Sequence, residues 1–83
     1  MKRIKGEKCN LSDLRAGQVG EVLEINIKDK TLKRHLLEMG LVRSTIVKIK
    51  KVAPLGDPVV IALRGYELFV EKNNLERSIV KVL

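Results

Sequence analysis

The sequence predicts a small, mostly β domain with one short helix, closed into a barrel. Three observations carry that expectation. Eighty-three residues allow a single domain with a modest core. Short runs of Val, Ile and Leu are separated by frequent turn signals, with polar residues alternating in several of them. One stretch carries apolar residues at helical spacing instead. Short strands of this kind suit a closed barrel, which leaves no sheet edge exposed.

Each element follows in order. Leu11-Ser12-Asp13-Leu14 reads as an anchoring turn, with Leu11 and Leu14 spaced to enter the core together. Residues 20–27 read as the first strand, with Val22 on one face and Leu23, Ile25 and Ile27 on the other. Residues 29–39 read as the helix. Asp29 or Thr31 can cap its start by accepting from a free backbone N–H. Leu32, Leu36 and Met39 form an apolar stripe that Leu37 widens, while Lys33, Arg34 and Glu38 face solvent. Gly40 suits the left-handed position just past a helix end, and Leu41 can fold back on the last turn as in a Schellman motif.

Residues 45–52 read as the second strand, Val47 and Ile49 on one face and Lys48 and Lys50 on the other. Pro54-Leu55-Gly56-Asp57-Pro58 cannot extend a ladder and reads as a turn. Residues 59–63 and 68–71 read as a hairpin around Arg64-Gly65-Tyr66. Asn73 or Asn74 is placed to cap one turn of helix, and residues 79–83 supply the closing strand. About five strands, with a helix after the first, fit an SH3-like barrel. An OB-fold is the second choice, because its helix normally comes later in the chain.

Composition bounds function loosely. The net charge is +7. Lys2, Arg3, Lys5 and Lys8 against Glu7 give the first eight residues +3 of that, leaving +4 for the rest. Such a chain can meet nucleic acid, anionic lipid or an acidic protein face, or simply be well solvated. A single cysteine, Cys9, allows no internal disulfide and fits a reducing compartment. The basic start leads into Gly6-Glu7-Lys8 and not into an apolar run, and no segment approaches the ~20 apolar residues of a membrane span. The expectation is a cytoplasmic protein with no direct membrane insertion.

Catalysis finds no support. The chain has neither a phosphate-binding Gly-x-x-x-x-Gly-Lys-Ser/Thr loop nor a Gly-x-Ser-x-Gly elbow. Its only histidine is His35, and nothing brings His35 to Cys9. His35 and Glu38 share a helical face and are chemically suited to iron, but two ligands make a weak site. A nucleic-acid reading rests on Arg43, Lys48, Lys50 and Lys51, with Lys28, Lys30, Lys33 and Arg34 near in sequence. It lacks aromatic platforms, since only Tyr66 and Phe69 are available and Phe69 reads as half-buried. Protein binding suits the chain better. One candidate surface pairs Leu55 and Asp57 of the first turn with Arg64 and Tyr66 of the hairpin tip. Another is the basic helix face of Lys30, Lys33 and Arg34, which can steer an acidic partner.

Four pieces in sequence, Leu11-Ser12-Asp13-Leu14 with Gly17, Leu36-Leu37-Glu38-Met39-Gly40-Leu41, Gly56-Asp57-Pro58 and Arg64-Gly65-Tyr66, give the chain its resemblance to the FeoA family. Val42-Arg43-Ser44 departs from the Pro-Gly turn of many relatives. The resemblance implies an SH3-like barrel over residues 10–83, with residues 1–9 as a basic extension that has no counterpart. It implies an accessory role beside the ferrous-iron transporter FeoB, by binding its cytoplasmic part, with no catalytic residues and no required cofactor. Transient contact with ferrous iron is compatible with it, and so is a homodimer. The same fold occurs at the C-terminus of iron-dependent repressors of the DtxR type, which keeps a stand-alone metal-sensing domain as an alternative beside a basic nucleic-acid-binding barrel.

Overall fold

The computed structural model describes residues 4–83. Its strands are β1 (Lys8–Asn10), β2 (Val19–Glu24), β3 (Ile46–Val52), β4 (Val59–Leu63), β5 (Tyr66–Val70) and β6 (Ile79–Val82). The one α-helix, α1 (Lys30–Glu38), lies between β2 and β3, and short 3₁₀ turns occupy Leu11–Asp13 and Lys72–Asn74. The mostly-β reading with one helix is borne out.

The strands form one antiparallel sheet in the order β1-β6-β2-β3-β4-β5. β1 and β5 stand at its two ends and do not pair, so the ladder is open where the sequence predicted a closed barrel. The reason is visible at β6, both of whose edges are taken, by β1 and β2. β1 itself was not foreseen. Gly6 N donates to Val82 O at 2.6 Å and Val82 N to Glu7 O at 2.8 Å, which carries the chain into that pairing. The sequence-based boundary at Asn10 thus falls inside a strand. Lys2 and Arg3 of the basic extension lie outside the described residues.

Alternation along the strands builds the core. Cys9, Val22, Val47, Ile49, Ile61, Leu63, Leu68, Val70, Val80 and Val82 turn inward and are buried. Leu11 and Leu14 close one part of that core and Leu36, Leu41 and Leu75 fill the rest. Irregularities in β2 at Val22–Glu24 and in β3 at Ile49–Lys51 interrupt strict alternation. Past the first, Ile27 is buried and Ile25 packs on the core although β2 has ended. Two local expectations are corrected. Phe69 is 68% exposed, because Leu68 and Val70 take the inward positions of β5. Asn73 and Asn74 lie within the 3₁₀ turn, and its N-cap is Glu71, with no side-chain cap bond.

The helix begins and ends as the sequence predicts. Asp29 Oδ1 accepts from Thr31 N at 2.9 Å and Leu32 N at 3.1 Å, satisfying two of the first turn's free donors. At the other end Gly40, with φ 99°, donates to Leu37 O at 3.0 Å, and Leu41 N donates to Leu36 O at 2.9 Å. That pair of bonds is the Schellman arrangement, and it delivers Leu41 into the core. The following Val42-Arg43-Ser44 loop is tied down by Ser44 N to Val22 O, 2.7 Å, and by Thr45 Oγ1 to Gly40 O, 2.9 Å.

Candidate partner-binding groove

The outward face of the sheet follows from the same register. Lys8, Lys81, Glu21 and Ile46 fall in one row across β1, β6, β2 and β3. Val19, Lys48, Ala62 and Glu67 fall in the next, across β2 to β5. Lys51, Val60 and Phe69 form a third. Cations, the acidic Glu21 and Glu67, and apolar side chains therefore share one outward surface.

A groove of about 500 Å³ runs over this face, bounded by Ile46, Lys48, Lys50, Ala62, Arg64, Tyr66 and Glu67. Ile46 is half exposed on its wall. Small Ala62 leaves room for Lys50 Nζ to reach Glu67 Oε2, 3.5 Å away on the strand beyond. Both partners are about half exposed, so the pair orients side chains more than it stabilises the fold.

The hairpin tip forms the end of the groove. Arg64 and Gly65 have φ of 49° and 86°, positive at both, as in a type I′ turn. That turn favours Asn-Gly or Asp-Gly, and a long side chain in the left-handed region costs about 1 kcal/mol. Tyr66 is half-buried and packs on the core. A Cβ at Gly40 would come within 3.1 Å of both Arg64 Cδ and the Tyr66 hydroxyl. The tip thus sits directly on the end of α1, and Gly40 makes the close approach possible.

The structure brings together some of the predicted site residues and separates others. Arg64 and Tyr66 share the groove with Lys48 and Lys50, which sequence reasoning assigned to phosphate contacts. Leu55 and Asp57 do not join them. The five residues of β4 place the two turns at opposite ends of a strand, about 16 Å apart. Leu55 is 97% exposed, and Asp57 Oδ1 accepts from Lys72 N, anchoring its turn to the start of the 3₁₀ segment. Lys30 and Arg34 are exposed and Lys33 half-buried on α1, outside the groove. His35 and Glu38 are exposed on the same helix, and among the described residues no group of three or more His, Cys, Asp or Glu side chains could hold a metal ion. Ile46 and Ala62 were missed. Ile46 stands in step with Lys48 in the sequence, but only the β3–β4 register shows what lies opposite. No helix among the described residues is long and apolar enough to cross a membrane.

Comparisons with known proteins place the chain in a family. The FeoA domain family model matches residues 9–81. The solution structure of the FeoA protein from Chlorobium tepidum is similar at 35% identity and TM-score 0.83, over 89% of this chain and 70% of that one. FeoA from Stenotrophomonas maltophilia, solved with zinc and described as a procaryotic SH3 domain protein possibly acting as a ferrous iron transport activating factor, is 20% identical at TM-score 0.71, over 87% of this chain and 88% of that one. IdeR of T. acidophilum shares the fold at 16% identity and TM-score 0.79, this chain lying whole within 37% of it. No curated protein matches the chain.

Proposed function

This chain belongs to the FeoA family, associated with accessory roles in ferrous-iron transport, and we propose that it acts in the cytoplasm by binding the cytoplasmic part of the transporter FeoB. The observation that carries this reading is the family match across residues 9–81. The groove beside the hairpin tip supports it, since Arg64 and Tyr66 are residue types that anchor interfaces and stand at its end. We read the open sheet as an SH3-like barrel whose ladder is incomplete. Residues 4–9 then belong with the domain through β1, and residues 10–83 form its body. The protein presents a surface and performs no reaction of its own. Lys30, Lys33 and Arg34 add a positive helix face that speeds encounter with an acidic partner. Leu55 and Asp57 form a separate contact on the far turn. Ferrous iron is the transporter's cargo, and His35 with Glu38 offers it at most a passing contact.

Calorimetric titration into the soluble GTP-binding portion of FeoB at physiological salt tests the proposal. Saturable one-to-one heat, lost in Arg64→Ala, is the expected result. Arg64 is exposed, so this variant keeps its fold, whereas Tyr66→Ala also removes a core contact. Absence of heat in every nucleotide state would overturn the reading.

A further inference from the structure

The groove's lining specifies a kind of ligand more closely than the family does. Its charged members are Lys48, Lys50 and Arg64 against Glu67. Lys50 is already paired with Glu67. Among the described residues, Lys48 and Arg64 form no ion pair. Between them lie Ile46 and Ala62, apolar and open to solvent. Lys48 pairs with Ala62 across the β3–β4 ladder, and Arg64 lies two residues further along. One strand spacing and two residues set their backbone positions about 8 Å apart. In an extended chain, side chains two residues apart point the same way and are separated by about 6.7 Å.

We infer that the groove binds an extended acidic segment of a protein partner, with two carboxylates two residues apart on Lys48 and Arg64 and a neighbouring aliphatic side chain on Ile46 and Ala62. This deepens the accessory reading and rests on it for the partner's identity. Charge complementarity selects the occupant. A second copy of the chain would bring the same cationic excess to its own face. A nucleic acid would find phosphate contacts in the groove, but Tyr66 there is half-buried against the core, and the exposed Phe69 lies outside the groove beside Lys51.

The test uses a short synthetic peptide carrying two glutamates two residues apart beside a leucine, and the same peptide with glutamines. Amide chemical shifts should move at Ile46, Lys48, Ala62 and Arg64, and the glutamine peptide should bind at least about tenfold more weakly. Lys48→Glu should abolish binding, and a lysine-for-glutamate peptide should restore it on the Lys48→Glu, Arg64→Glu double variant. Equal binding of both peptides, shifts confined to another face, or tighter binding of an oligothymidine would overturn the inference. Lys48→Glu is then titrated with the FeoB portion. If wild type and variant bind alike, the groove inference falls while the accessory role stands. If neither binds FeoB but the peptide behaves as expected, the groove stands and the accessory reading falls.

Discussion

The end of α1 and the tip of the β4–β5 hairpin meet at Gly40, yet they are built on opposite terms. At the helix end each special position carries the residue its backbone asks for. Gly40 takes φ 99°, the Schellman bonds are made, and Leu41 is fully buried. At the hairpin tip a type I′ position that favours Asn or Gly carries an arginine at φ 49°. That guanidinium is exposed and forms no ion pair among the described residues. Backbone strain kept at an exposed, unpaired cation points to a role beyond stability. On the reading proposed above, the helix end serves stability and the tip serves binding.

Removing Leu41 should have the largest effect. Its side chain is fully buried, so Leu41→Ala loses transfer energy and leaves a cavity, together about 3 kcal/mol. Urea denaturation measures this. A loss under about 1 kcal/mol would mean that the helix end is not locked into the core as described.

Gly40→Ala is next, and it tests the junction itself. The substitution forces φ 99° on a side chain and drives its Cβ to 3.1 Å from Arg64 Cδ and the Tyr66 hydroxyl. Arg64 can swing away, but Tyr66 packs on the core, so the combined cost should be about 2 kcal/mol. Amide shifts should then move at Arg64 and Tyr66, some 24 residues along the chain, as well as around the helix end. Shifts confined to the helix would break the claimed contact.

Asp29→Ala should cost about 1 kcal/mol by leaving the Thr31 and Leu32 donors without their cap. Asp29→Asn should recover most of it, because Asn caps equally well. The groove lies outside this change, so affinity for the acidic peptide should hold constant while stability falls. Parallel loss of both would show that the two regions are not separable.

Why the helix end was legible in the sequence and the groove was not follows from the range of the interactions. Asp29, the Leu32–Leu36–Met39 stripe, Gly40 and Leu41 interact within one helix, so their spacing alone declares them. The groove depends on register between strands. Lys48 meets Ala62 and Lys50 meets Glu67 only because β3, β4 and β5 pair as they do. The irregularity between Ile49 and Lys51 also brings Lys51 to the side of Lys48 and Lys50, contrary to strict alternation. β1 escaped notice for a similar reason. Lys8-Cys9-Asn10 has no strand signature, and its partner β6 lies some 70 residues away. Leu55 and Asp57 were grouped with Arg64 and Tyr66 because all are turn residues, although β4 holds the two turns apart.

Arg64→Asn should have the smallest effect on stability and the most telling sign. Asn tolerates the left-handed region, and Asn-Gly is the favoured type I′ pair. Relieving the arginine should therefore add about 0.5–1 kcal/mol, raising Tm by roughly 4 °C in a domain of this size. The same substitution removes a groove cation, so binding of the FeoB portion should weaken about tenfold. Stability and affinity then move in opposite directions from one change at an exposed residue. Arg64→Lys separates the two effects, since it keeps both the charge and the backbone strain. It should leave Tm near wild type and retain much of the affinity. If Arg64→Asn instead lowers Tm, the arginine contributes to packing at the tip. The contrast with the helix end would then disappear, because both regions would be serving stability.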